Sequence, residues 1–319
     1  MWLIKSEEET NPEYGKSPDE RTIEELINST VIIVDKHSGP TSHQISAWVR
    51  DMFNVKSGGH SGTLDPQVTG VLPVALENAT KAMPVLTGLD KEYVGVMHLH
   101  KEVPEDLLRN VIIEKFIGKI KQRPPVKSAV ARVEREREIY FFDILELDEK
   151  DVVFKVGCEA GTYIRKLCHD IGQALKVGAH MSELRRNKVG DFTEEQSHSL
   201  VEIRDGYEFW KENNDETNLR KILLPVEYAT MHVKRIFVKD SAVDALTNGS
   251  PLYPAGITRT QKDIVRGETV VIMTLKEELI ALGISKMTSD EMVKRKTGVV
   301  VRVDRVLMNR GVYPKWDKA

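Results

Sequence analysis

The order of apolar and polar positions divides the chain before any chemistry is considered. Residues 1–27 are acidic and end in a short helical pattern, with Thr22 as cap before Ile23 and Leu26. Val31–Val34 is an unbroken apolar run and reads as a buried strand. It leads into the turn-rich loop Asp35-Lys36-His37-Ser38-Gly39-Pro40-Thr41-Ser42. Thr41 or Ser42 then caps a helix through Ile45, Trp48, Val49 and Met52. A second apolar run covers Val71 to Leu76, and Ala79–Leu86 begins a helix. Lys91–Leu99 alternates, with Tyr93, Gly95, Met97 and Leu99 on one face and Glu92, Val94, Val96 and His98 on the other, which predicts a strand. Glu105–Ile117 places Leu107, Leu108, Val111, Ile112 and Phe116 at helical spacing. Ile139–Leu147 and Val152–Cys158 read as an antiparallel pair around the turn 148–151. Thr162 caps a further helix with Ile164, Leu167 and Ile171 on its apolar face. Residues 205–220 are polar and charged and read as a linker or an exposed helix with a loop. From Ile236 onward short strands alternate with Gly and Pro turns, including Val270–Leu275, Leu279–Leu282 and Val299–Val303. This pattern gives a small β-barrel-like domain from about 232 to 312.

Composition changes this picture little, and charge changes it more. With 319 residues, 40% hydrophobic and 30% charged, the chain fits one large domain and a smaller one in a soluble protein. Its longest apolar runs are strand-length, short of a membrane span. The start, Met1 to Lys5 followed by Glu7, Glu8 and Glu9, lacks the pattern of a secretory signal, so the cytoplasm is expected. Two cysteines, Cys158 and Cys168, fit buried thiols in a reducing compartment. No Cys-x-x-Cys pair exists to build a structural zinc site. The net charge of −3 conceals segregation. Acidic residues crowd the first thirty positions. Lys119, Lys121, Arg123, Lys127, Arg132, Arg135 and Arg137 form one basic stretch, and Lys294 to Lys318 holds another. Each reads either as a phosphate-binding surface or as a solvated face.

Candidate chemistry gathers in the stretch from Ser57 to Lys81. Asp65 sits there among Gly58, Gly59, Gly62 and Gly70, with His60 before it and Pro66 after it. Glycines admit close approach or positive φ, and Pro66 stiffens the turn. The same residues fit a carboxylate held for catalysis or an Asp in an Asx-type turn. Several chemistries fail on spacing. Around Ser61 the residues are not Gly-x-Ser-x-Gly, and no Gly-Lys-Ser/Thr follows the glycines. Gln67 stands where a phosphoaspartyl enzyme would carry a second Asp. A lone carboxylate nucleophile or base without metal or cofactor survives, with Arg165 as its best counter-cation. Arg165 lies in a first helical turn, against the helix dipole, so it is either solvent-exposed or held by an anion. His98 and His100 point to one side of a strand, but no trio of ligands follows them, so ordinary surface or core histidines are expected.

The blocks Asp35–Ser42, Gly59–Pro73, Lys91-Glu92-Tyr93, Gly161–Arg165 and Gly178–Arg186 resemble, in order, those of the TruB/dyskerin family of pseudouridine synthases. Residues 158–172 resemble the archaeal/eukaryotic dyskerin branch, and 249–257 with 313–316 resemble that branch's PUA domain. The absence of a Lys-rich tail matches the archaeal type. The resemblance implies an α+β fold: a catalytic domain with a mixed, mainly antiparallel sheet and flanking helices over 28–228, and a small β-barrel PUA domain over 232–312. An N-terminal extension, 1–27, would pack on the PUA domain, and removing 232–319 would cost RNA affinity more than folding. The implied activity is isomerisation of uridine to pseudouridine in RNA, without a cofactor. Asp65 matches the catalytic aspartate, Arg165 its arginine partner and Tyr93 the tyrosine that stacks on the flipped base. His60 matches the histidine that fills the vacated place, and Lys81, Lys91 and Leu184 match pocket positions. Lys119, Lys121, Arg123, Lys127 and Arg132 fall in the family's RNA-binding thumb. A proline common in the family is replaced by His37. The implied partners are substrate rRNA or tRNA, a box H/ACA guide RNA and the small H/ACA ribonucleoprotein subunits, with no membrane. A guide-independent tRNA synthase and an RNA-binding scaffold remain as alternatives.

Overall fold

The computed structural model of the chain describes residues 1–124 and 133–315. Two sheets organise it. The larger has ten strands. Its main path runs Leu224–Pro225, Thr30–Lys36, Thr69–Leu76, Ala179–Val189, Lys91–Leu99, Asp151–Cys158, Arg135–Asp148, Gly118–Gln122. Gly58–His60 pairs onto Thr69–Leu76, and Phe192–Thr193 onto Ala179–Val189. Pairing is antiparallel except where Thr69 and Gly70 meet Arg185 and Arg186 in parallel. The apolar runs read from the sequence are the central strands: Thr30–Lys36 is buried on both faces apart from a half-buried Asp35. Lys91–Leu99 keeps its alternation, with Lys91, Tyr93, Gly95, Met97 and Leu99 inside. Its pairing with Ala179–Val189 shifts register between Glu92 and Tyr93, a bulge of the kind that re-aims a side chain beside a site.

Helices cover this sheet. Ser42–Met52 starts at Thr41, whose hydroxyl accepts from Gln44 N–H while the Gln44 side chain accepts from Thr41 N–H. Glu105–Phe116 buries Leu108 and Ile112, but Leu107 faces solvent. Of the two readings of 205–220, linker or exposed helix with a loop, the second is nearer: helices Leu200–Asn213 and Thr217–Ile222 are joined by a short loop, though one face is buried. Ile203, Tyr207, Leu219 and Ile222 are buried against the helix Ser42–Met52 and its neighbours, a contact composition alone does not announce. Thr162 caps no helix. The helix Ile164–Ala174 begins after Tyr163, and the Thr162 hydroxyl donates instead to Glu159 O at 2.7 Å. The start is fixed by buried Gln122, which accepts from Tyr163 N–H at 2.9 Å and donates to Tyr163 O at 3.2 Å.

The smaller sheet has six strands in the order Trp2–Ile4, Ile257–Gln261, Lys234–Val238, Thr269–Met273, Leu279–Ser285, Val301–Val306. The first residues of the chain thus supply an edge strand to the C-terminal sheet. One apolar cluster runs through both sheets: Val31, Ile33, Val71 and Ala75 share it with Phe237, Val271, Met273, Leu282 and Leu307. The C-terminal block is therefore not detachable at the cost of RNA affinity alone, because its removal strips cover from the central strands. Among the described residues, no helix is long and apolar enough to cross a membrane.

Candidate active site

The loop carrying Asp65 is held by buried polar groups on both sides. Val68 N–H donates to Asp65 O at 3.0 Å, closing a turn with Pro66 at its second position. Ser42, at the start of its helix, donates to Leu64 O at 3.2 Å and accepts from Leu64 N–H at 2.8 Å. Lys36, fully buried, points its ammonium at three carbonyls: His37 at 3.0 Å, Pro66 at 2.9 Å and Val68 at 2.8 Å. From the other side buried Arg186 donates to Val71 O at 2.8 Å and Gly62 O at 3.2 Å. Gly70 has φ +103°, and a Cβ there would lie 2.1 Å from Arg186 O. The glycine serves contact with the neighbouring strand. Buried cations satisfied by carbonyls keep the loop in place while Asp65 stays exposed.

Asp65 forms an ion pair with Arg165, both side chains being about half exposed. The helix dipole disfavours a cation in a first turn, and the anion that offsets it is this carboxylate. Tyr93 lies beneath, in an apolar cluster with Leu64 and Val68, close enough for its phenol to feel the Asp65 charge. Burial pushes the Tyr93 phenol above its usual range, with Arg186 opposing through a side-chain hydrogen bond. Lys91 is buried near Gly62 and donates to Thr87 O at 2.8 Å and to Leu89 O. Burial first, then Arg186, brings its ammonium down to about 8. A half-exposed carboxylate with a fixed counter-cation on a rigid loop suits a nucleophile or a general base.

Comparison with known proteins decides the family. The TruB family pseudouridylate synthase N-terminal domain matches residues 50–164 and the tRNA pseudouridylate synthase B C-terminal domain residues 165–230. A PUA domain matches 234–307 and a DKCLD domain 1–46. A probable tRNA pseudouridine synthase B from Methanopyrus kandleri is 52% identical over 98% of this chain and 92% of its own. The chain belongs to the TruB/dyskerin family of pseudouridine synthases. The Pyrococcus furiosus relative of the same name is 50% identical over 99% of this chain and 94% of its own. Among solved structures, the synthase is similar to a Cbf5-Nop10-Gar1 complex (TM-score 0.93, 50% identity, 99% of this chain, 96% of the other). It is equally similar to an H/ACA RNP bound to a substrate RNA containing 2′-deoxyuridine (TM-score 0.92, 48% identity, 99% and 96%).

The remaining positions singled out from the synthase's sequence divide. Leu184 is half-buried and packs on the apolar cluster that contains Tyr93. His60 pairs its strand with Val74 and contacts His43, with Nε2 and Nδ1 3.4 Å apart. Burial first, then His43 and Arg186, lowers His60 to about 4, so the ring is neutral. Lys81 bonds Asn78 Oδ1 at 2.9 Å, and Asn78 in turn reaches Asn309 of the C-terminal block, so Lys81 sits at the junction of the two sheets. The basic stretch is less basic than its sequence. On the hairpin Gly118–Gln122 with Arg135–Asp148, Lys119 faces Glu136 at 2.9 Å and Lys121 faces Glu134 at 3.8 Å. Lys127 and Arg132 lie outside the described residues.

His98 and His100 gain a third imidazole, His180, from the adjacent strand. His100 Nε2 lies 3.1 Å from His180 Nδ1, and His98 bonds Asp151 at 2.7 Å. Among the described residues no group of three or more such side chains is placed to hold a metal ion. Burial pushes both cysteine thiols up to about 12. Sequence reading missed Lys36, Arg186, Gln122 and His43. Lys36 and Arg186 were readable in principle, as charged residues inside or beside apolar strand patterns.

Proposed function

We propose that this synthase isomerises uridine to pseudouridine in ribosomal RNA, at sites chosen by a box H/ACA guide RNA and together with small H/ACA ribonucleoprotein subunits. The observation that carries this is the match, along 99% of this chain, to the structure of an H/ACA RNP bound to substrate RNA. In this reading Asp65 attacks or assists at the glycosidic carbon of a uridine turned out of its stack. The uracil detaches, rotates and rejoins through carbon-5, which then loses its proton while N1, freed from the sugar, gains one. Nothing is oxidised or reduced overall, so the step asks for no cofactor. Arg165 pairs with the carboxylate, Tyr93 stacks on the uracil and accepts or relays the carbon-5 proton, and His60 takes the place the base leaves. Lys91 and Leu184 shape the pocket floor. Lys81 belongs to the junction of the two sheets, and Lys119, Lys121 and Arg123 to the thumb that meets RNA. Residues 28–228 form the catalytic domain and 232–312 the RNA-gripping PUA domain, with 1–27 wrapped on the latter. An RNA-modifying enzyme of archaeal type works in the cytoplasm.

The names of the relatives favour a second reading, a guide-independent tRNA synthase. One experiment separates them: tritium release from carbon-5-labelled uridine in a ribosomal fragment and in a tRNA, each with and without guide RNA and partner subunits. Release from the ribosomal fragment only with the guide is expected. Equal release from tRNA by the protein alone would replace this reading with the second. No release under any condition would leave an RNA-binding scaffold, against which the intact Asp65–Arg165 pair argues.

A further inference from the structure

His60 lies on the short strand Gly58–His60, and this strand is pressed onto the helix Ser42–Met52. A Cβ at Gly58 would meet the Arg50 side chain at 2.9 Å and Ser46 O at 3.2 Å, so glycine lets the two elements touch. The contact delivers His43, in the first turn of the helix, to His60. The ring centroids are 4.7 Å apart with planes at 67°, edge to face, and His60 Nε2 is 3.4 Å from His43 Nδ1. The other nitrogen of His60, Nδ1, is buried with no hydrogen-bond partner.

A neutral imidazole has one N–H and one lone pair. Either placing of that proton in His60 lets Nε2 bond His43 Nδ1, as donor or as acceptor, and the two differ at the buried Nδ1. On Nδ1 the N–H is buried with no acceptor. On Nε2 it donates to His43 Nδ1 and leaves a bare lone pair at the buried nitrogen. An orphaned buried N–H is the rarer and costlier of the two, which favours the Nε2–H form when His43 offers its Nδ1 lone pair. In that form the bond to His43 would fix the ring of His60 in tautomer and orientation before RNA arrives. Turning a base out of its stack costs a few kcal/mol, and a side chain that must be ordered at that moment adds to the barrier.

We propose that His43 is a positioning residue: it holds His60 in the tautomer and orientation in which His60 replaces the extruded uracil. The inference rests on the reading of His60 given above and adds the group that prepares it. Its effect falls on base extrusion and leaves RNA affinity alone, because His43 acts through His60.

The test uses the full-length protein in its complete assembly, with a substrate RNA carrying 2-aminopurine beside the target uridine. Three variants are compared: His43→Phe, which keeps a ring and removes the acceptor; His43→Asn, which restores an acceptor; and His60→Ala. Nitrogen-15 labelling of the histidine side chains reads the His60 tautomer without RNA. In His43→Phe we expect loss of the Nε2–H signature and an extrusion rate about five- to ten-fold lower, the size of one lost hydrogen bond. Affinity should hold, and His43→Asn should recover both signals. An unchanged tautomer and extrusion rate in His43→Phe would overturn the proposal. If His60→Ala extrudes the base at the normal rate, the role given to His60 falls, and the consequence drawn for His43 falls with it. If His60→Ala is slow while His43→Phe is normal, His60 keeps its role and His43 loses the one assigned here.

Discussion

Asp65 and Arg165 are each half exposed, so their pairing adds little to folding. Their value lies in placing an anion, and substitution should separate activity from stability. Asp65→Asn is expected to abolish tritium release from carbon-5 of substrate uridine while leaving RNA binding and the urea midpoint near those of the parent. Arg165→Ala should cost roughly a hundred-fold in single-turnover rate, comparable to removal of one electrostatic stabiliser from an active site. Lys91 is different because it is buried. Its folded-state ammonium titrates at about 8, against roughly 10.4 in an unfolded chain. Below pH 8 both states are charged and the full burial penalty applies. As pH rises from 8 to about 10.4 the folded state has released a proton that the unfolded state still holds, so folding gains stability. Urea unfolding across this range should show that gain in the wild type and lose it in Lys91→Met.

At the scale of elements, the loop carrying Asp65 is gripped between a helix and two strands. Gly70 reads from sequence as a glycine that lets a ligand come close or takes positive φ, and it has φ +103°. What comes close is the backbone of Arg186 on the strand running parallel to it. Gly70→Ala would combine φ +103° with a clash against backbone that cannot yield. It should destabilise by more than about 2 kcal/mol in urea unfolding and lower activity in parallel. The helix bearing Arg165 illustrates the converse. Its extent is legible in Ile164, Leu167 and Ile171, but its start is not. Thr162 is the capping residue type in the expected place, yet Gln122, 41 residues upstream of Tyr163, takes the first N–H. No local pattern announces a cap contributed by a distant hairpin.

For the whole molecule, the two sheets are locked by charge as well as by apolar contact. Glu227 is buried and receives Arg21 through both oxygens, at 2.7 and 3.0 Å, while Leu279 N–H donates to the same carboxylate at 3.0 Å. One side chain thus ties the N-terminal extension, the end of the larger sheet's cover and the C-terminal sheet. A cavity of about 190 Å³ lies at this junction, lined in part by Arg21, Glu25, Asn78, Glu278 and Asn309, away from Asp65. Glu227→Ala strands a buried guanidinium and a backbone donor and should cost about 3 kcal/mol or more in urea unfolding. Removing 232–319 should leave a fragment that aggregates or lacks a cooperative transition, because the shared apolar cluster loses Phe237, Val271, Met273, Leu282 and Leu307. A soluble, cooperatively folding 1–231 fragment would contradict this.

Apolar periodicity alone determined most strands and helices of this protein, since burial selects for period two or 3.6 wherever a face is covered. Motif order determined the family and singled out Asp65, Tyr93 and Arg165. Tertiary structure decided what no local window contains. It brought Arg165 to Asp65 across a hundred residues and set His180 beside His98 and His100. It set Glu136, on the facing strand, against Lys119 and Glu134, just before that strand, against Lys121. It turned Lys36 and Arg186 into props for the loop, because a charge inside a core is stable only where distant carbonyls converge on it. Sequence patterns record which residues are buried. Which buried groups satisfy one another is settled only when the chain closes.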